Sequence, residues 1–191
     1  MEANMANIEI VYFSGYGHTD RLAQAVADGA GNSARLWKLS ENGTLPDDAW
    51  EALDQADAIL YGSPTYMGGP AWQFKRFADD SSKRWFARDW QDKLAGGFTN
   101  SASTNGDKGS TLAYFNTLAS QHGQIWVSLG QAPSNTLAST PSDINWGGGS
   151  VGVTAISPSD SSPDQGPRNG DLDSARAFGA RVASLAERFA A

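Results

Sequence analysis

Five short apolar runs recur along the chain, and the stretches between them are too long for hairpins. The runs are IEIVYF from Ile8, ARLWKL from Ala34, DAILYGS from Asp57, KLAGGFTNS from Lys93 and QIWVSLG from Gln124. Runs of this length, bounded by turn residues, fit strands. Parallel neighbours must be joined by long crossovers, and the intervening segments carry the helical spacing to supply them. Leu22, Ala23, Val26, Ala27 and Ala30 fall on one stripe; Leu112, Phe115, Leu118 and Ala119 fall on another, which ends at Gly123. Phe74, Phe77 and Ala78 form a third, for which Pro70 suits the first turn. Leu172, Ala175, Phe178, Val182, Leu185 and Phe189 give a last helix its inward face. This alternation predicts an α/β fold: right-handed crossovers and a parallel sheet with helices on both faces.

The first strand passes into the first helix through a loop of unusual content. Within YFSGYGHTDRLAQAV the turn is made of Ser14, Gly15, Tyr16, Gly17, His18 and Thr19, which offer hydroxyls and backbone N–H groups but no Lys or Arg. A helix N-terminus presents unpaired N–H groups and the positive end of its dipole, both of which favour a phosphate. The glycines let the backbone turn tightly around an anion, and Ser14 and Thr19 add hydroxyl donors. On these residues alone, an ordinary strand-to-helix turn reads equally well. The loop is not a Walker loop, because no Lys follows the second glycine, and it lacks the third glycine of the dinucleotide fingerprint.

Composition narrows the function classes. The 191 residues suit one domain, expected to span residues 1–191. Lys and Arg number 14 against 21 Asp and Glu, a formal net charge of −7, so nucleic acid and anionic membranes are disfavoured partners. The chain has no cysteine, hence no disulfide, thiol redox couple or thiolate metal site. Any electrons it moves must ride on a cofactor. No apolar run has the length of a membrane span, and the first ten residues lack the pattern of a signal peptide. The expectation is a soluble cytoplasmic protein. One region breaks the rhythm: Gly130 to Gly170 is rich in Ser, Pro, Gly and Asn, with VGVTAIS as its one further strand. So long an irregular stretch is usually functional, an interface, or disordered.

In open α/β sheets ligands bind outside the carboxyl ends of the strands, where strand order reverses. The loops after the first, third and fourth strands therefore belong together. The second of them runs from Ser63 through Pro64, Thr65, Tyr66, Met67 and Gly68 to Gly69, and places an aromatic beside a thioether. The third, TNSASTNGD, contains Asn100, Ser101, Ala102, Ser103, Thr104 and Asn105 and is almost wholly small and polar.

Taken together, VYFSGYGHT, YGSPTYMGG, KLAGGFTNSASTNGD, TLASQHG and SARAFGARVASLAERF resemble the flavodoxin-like family. Within it the likeness is greatest to the WrbA-type NAD(P)H:quinone oxidoreductases. The resemblance implies a three-layer sandwich around a five-stranded parallel sheet of order 2-1-3-4-5. It also implies bound FMN, and an insertion at about 130–170 that helps assemble a homotetramer, with a homodimer as the smaller alternative. Ser14 to Thr19 would hold the FMN phosphate, Thr65 to Met67 would run along the isoalloxazine ring with Pro64 and Gly68 also binding the cofactor, and Asn100 to Asn105 would supply donors to its polar edge. Tyr16 would border the nicotinamide site. Trp85 would match an aromatic on the substrate side, although it reads equally well as a packing aromatic. His122 stands near the tandem histidines that commonly end the fourth helix of such enzymes, but also suits an ordinary helix C-terminus. Tyr66 replaces the usual Arg, one residue is inserted before His122, and the third loop is poor in glycine.

The implied activity is two-electron transfer from NADH or NADPH, through FMN, to a quinone or other small acceptor. The alternative is a flavodoxin-type carrier that shuttles single electrons without substrate chemistry. Carriers typically cover the flavin with an aromatic from the third loop, and this loop has none, which favours the enzyme.

Overall fold

The computed structural model describes residues 6–190. Six helices surround one sheet. Strand β1 (Ile8–Tyr12) is buried along its whole length. It pairs in parallel with β2 (Ala34–Lys38) on one side and β3 (Ala58–Tyr66) on the other, and β3 continues the parallel pairing to β5 (Leu94–Ser101). A two-residue strand, β4 (Gly69–Pro70), folds back antiparallel on Thr65 and Tyr66. Pro70 thus lies in β4, and helix α3 starts two residues later, at Trp72.

The fifth sheet position holds two short strands instead of one. β6 (Ile125–Trp126) pairs with Leu94 and Ala95 at the start of β5, and β7 (Val153–Ile156) pairs with Phe98 to Ser101 at its end. After Val127, whose N–H still donates to the Ala95 carbonyl, residues 128–152 leave the sheet between them. The irregular region therefore interrupts the fifth strand, and its later part re-enters the sheet. With that split, six of the seven strands realise the expected order 2-1-3-4-5, and β4 is an antiparallel addition to β3.

Helices α1 (His18–Ala30) and α6 (Asn169–Ala190) cover one face, over a core that includes Ile8, Ile10, Leu22, Val26, Phe98 and Phe178. They cross almost backbone on backbone. A Cβ on Gly29 would lie 1.9 Å from the Arg176 carbonyl oxygen, and one on Gly179 would lie 2.0 Å from that of Val26. Any side chain at either position would force the helices apart. The other face is covered by α2 (Asp47–Gln55), α3 (Trp72–Asp80), α4 (Ser82–Ala87) and α5 (Lys108–His122). Its core contains Val11, Tyr61, Phe74, Phe77, Trp90 and Phe115. Of the last-helix stripe, Leu172, Ala175, Phe178 and Val182 are buried as expected, while Phe189 in the last turn is exposed.

This topology fixes two edges. The loops after β1, β3, β5 and β7 meet at the carboxyl edge. The ends of α2 and α5, together with α4, lie at the amino edge: Arg84 pairs with Asp54 just before β3, and α5 ends just before β6 pairs with Leu94.

Candidate functional site

At the carboxyl edge the loops enclose a cavity of about 570 Å³, within the range of small-molecule and cofactor sites. The first loop contributes Gly15, Tyr16, His18 and Thr19; the second Pro64, Thr65 and Tyr66; the third Asn100, Ser101 and Ala102. A fourth wall comes from Ser157, Pro158, Ser159 and Ser161. These four residues are absent from the sequence-derived site. They follow β7, and the general rule that a ligand sits beyond strand carboxyl ends would have included them once VGVTAIS was read as a sheet strand.

The first loop is built as a donor cradle. Gly17 takes a left-handed φ of 88°, a conformation in which a side chain is strained. Ser14 is buried, and its Oγ accepts the N–H groups of Gly17 at 3.2 Å and Asp20 at 3.1 Å. That oxygen shapes the turn and accepts from the first turn of the helix, and Ser14 is not among the residues that line the cavity. The backbone N–H groups of Tyr16, His18 and Thr19 have no partner among the described hydrogen bonds. Three free amides at a helix N-terminus suit an anionic oxygen cluster held by neutral donors. No Lys or Arg lines the cavity.

The remaining walls are held by buried hydroxyl contacts. Thr65 Oγ1 lies 2.8 Å from Thr99 Oγ1 and 2.7 Å from Thr111 Oγ1, tying the second loop to β5 and α5. Ser157 Oγ donates to Asn100 Oδ1 at 2.9 Å. No described hydrogen bond uses Asn100 Nδ2, which is left as a donor at the wall. Tyr16 and Tyr66 meet edge to face with ring centroids 6.4 Å apart. Tyr16 remains 77% exposed, so the pair forms a rim and leaves the mouth open. Burial raises the Tyr66 hydroxyl above its ordinary pKa, with Tyr16 and Glu41 adding to the rise.

The fourth wall is tied back to the first loop. His18 Nε2 lies 3.1 Å from the Ser161 carbonyl oxygen, and Arg21 Nη1 donates to the Pro163 carbonyl at 2.6 Å. Pro163 also packs against Gly17, where a Cβ would come within 2.7 Å of its Cγ.

Several expected site residues lie elsewhere. Met67 is fully exposed and, with Gly68, sits beyond the cavity lining; Ser103, Thr104 and Asn105 are also outside it. His122 is a correction. It ends α5 at the amino edge, with only 2% of its surface exposed, its Nε2 2.9 Å from Ser81 Oγ and its ring 4.4 Å from that of Trp90. Burial pulls its pKa down to about 4. It packs in the core, and nothing brings it to the cavity. Trp85 is also displaced: it sits half exposed on α4 at the amino edge, away from the residues that line this cavity. Trp90, which follows α4, is completely buried and donates to Asp54 Oδ1 at 2.8 Å.

A model of the NADPH-dependent FMN reductase family matches residues 8–135. The chain belongs to that family. Flavodoxin FldP of Pseudomonas aeruginosa is 55% identical, with 96% of this chain and 98% of the relative covered. An NAD(P)H dehydrogenase (quinone) of Trichlorobacter lovleyi is 31% identical over 98% of this chain and all of the relative. The crystal structure of a flavodoxin, WrbA-like protein from Agrobacterium tumefaciens is 50% identical, with a TM-score of 0.79 over 96% of this chain and 98% of that one. The resemblance read from the motifs and the flavodoxin-like fold are thus both borne out. Among the described residues no helix is long and apolar enough to cross a membrane.

Proposed function

We propose that the chain is an FMN-dependent oxidoreductase that takes a hydride from NADH or NADPH and passes two electrons to a quinone or other small acceptor. The open mouth of the cavity carries this reading. The third loop contributes only Asn100, Ser101 and Ala102, none of them aromatic, and the large rings are the rim pair Tyr16 and Tyr66, so a planar ring has room to stack on a bound flavin. FMN would supply the hydride-accepting ring. Tyr16, His18 and Thr19 would hold its phosphate through backbone N–H groups, Pro64 to Tyr66 would run beside the ring, and Asn100 and Ser157 would fix its polar edge. A dianion met by three unpaired amides at a helix end needs no basic side chain.

The flavodoxin-type carrier is kept as a second reading, because a relative covering nearly the whole chain bears the name flavodoxin. The two differ in kinetics. One site shared in turn by donor and acceptor gives parallel lines when initial rates are plotted in double-reciprocal form against quinone at several nicotinamide concentrations. Intersecting lines, or no turnover, would count against the enzyme. Calorimetric titration with FMN and FAD tests the cofactor: FMN should bind more tightly, since the loop lacks the dinucleotide fingerprint.

We also propose a homo-oligomer, a tetramer or dimer. Trp85 and Phe86 on α4, Ile125 and Phe189 are exposed at the amino edge, and Leu137 and Val151 are exposed in the excursion between β6 and β7. Apolar surface of this kind is commonly covered by a partner.

A further inference from the structure

A buried cation stands behind the cavity's third wall, where the sequence shows only small polar residues. Lys108, the first residue of α5, is 4% exposed. Its Nζ donates to Ser101 Oγ at 2.8 Å, to the Ser103 carbonyl at 2.7 Å and to the Thr104 carbonyl at 3.1 Å. Three ammonium donors therefore meet three acceptors, all from the third loop. None of the described salt bridges includes it; the carboxylate that acts on it is Asp171 of α6, whose own Oδ2 accepts the Ile156 N–H at 2.9 Å. Gly106 and Asp107, with φ of 54° and 52°, turn the chain back so that the side chain can reach under its own loop.

The hydrogen bonds set the loop's polarity. In a trans peptide the C=O and the following N–H point in opposite directions. With the Ser103 and Thr104 carbonyls drawn to Lys108, the N–H groups of Thr104 and Asn105 face away from it. Ser101, which Lys108 holds directly, lines the cavity.

We propose that Lys108 is a positioning residue of the site: it turns the third loop's carbonyls inward and its amide donors outward, and gives that wall a fixed positive charge. The charge matters because burial without a directly paired carboxylate is costly, and Asp171 cancels only part of the field of the ammonium. Burial lowers the Lys108 pKa and Asp171 offsets part of the fall. The effect on a flavin rests on the FMN reading above: a cation behind the ring's polar edge would favour the extra negative charge the ring carries once reduced.

The test has two stages, on the full chain. First, backbone 15N order parameters are measured in the apoprotein for wild type, Lys108→Met and Lys108→Arg. Those of residues 102–106 should fall from about 0.85 to below about 0.6 in Lys108→Met, with those of α1 unchanged. Lys108→Arg should recover part of the order. If Lys108→Met does not fold, Lys108→Gln replaces it with the same expectation. Second, FMN affinity and midpoint potential are measured. Removing the charge should weaken FMN binding about tenfold. It should also lower the ratio of affinities for reduced over oxidised FMN about tenfold, a shift of ~30 mV for two electrons. Unchanged order parameters overturn the proposal, and so do unchanged affinity and potential in a protein that binds FMN. A wild type that binds no FMN sinks the cofactor reading, while the order parameters still decide the role of Lys108.

Discussion

Single residues set the character of the site more through backbone shape than through side-chain chemistry. Gly17 combines a φ of 88° with close contact to Pro163. Gly17→Val should therefore weaken FMN binding at least about tenfold and lower stability by roughly 1–3 kcal/mol, as read by calorimetry and urea unfolding; unaltered binding would place the phosphate elsewhere. His122 acts on stability alone. Its folded pKa of about 4 lies below the ordinary value of 6.5, so the unfolded chain takes up a proton first, and stability present above pH 6.5 is lost as pH falls toward 4. Asp171 works in the opposite sense. Burial raises its carboxyl from 3.8 to about 6, so its neutral form favours the fold below pH 3.8 and that contribution disappears as pH rises through 6. Replacing His122 by Phe should remove about 2 kcal/mol of the loss between pH 7 and pH 5 relative to wild type. Urea unfolding at the two pH values measures this, and an identical slope in both proteins would contradict it.

At the scale of elements, the loop after β7 is the part whose role the sequence concealed. Arg21 anchors it through the Pro163 carbonyl, and His18 contacts Ser161. Arg21→Ala should weaken FMN binding about threefold while leaving the unfolding midpoint nearly unchanged, as expected for an exposed contact; calorimetry and thermal unfolding separate the two effects. The strands β1, β2, β3 and β5 and the stripes of α1 and α5 were legible because their apolar residues follow one period in an unbroken run. Helix α2 was not read, since only Ala49 and Leu53 of its nine residues are buried. The fifth strand was read as one run because VSLG is apolar, yet after Val127 the chain turns out toward Ser150 instead of pairing on. Lys108 was passed over because its neighbours in sequence are polar; only the backward turn at Gly106 and Asp107 buries it. His122 was expected near the flavin or at an ordinary helix C-terminus, whereas it is buried and fills space against Trp90.

For the whole molecule, the carboxyl edge carries the cavity and the amino edge carries Trp85, Phe86, Ile125 and Phe189 as exposed apolar groups. Separation of the two edges implies that assembly and cofactor binding can be perturbed independently. Trp85→Ala combined with Phe86→Ser should reduce the assembled mass in light scattering and leave FMN affinity of the protomer within about threefold. A monomer mass for the wild type at working concentration would remove the oligomer proposal. The central claim is that a flavin bound at the carboxyl edge accepts hydride directly from a nicotinamide. Anaerobic stopped-flow mixing of the FMN-loaded protein with NADH or NADPH, without quinone, tests it most directly. The account predicts that the flavin colour bleaches in one two-electron phase whose rate saturates with the nicotinamide. A flavin that dithionite reduces readily, but that neither nicotinamide bleaches over minutes, would contradict it.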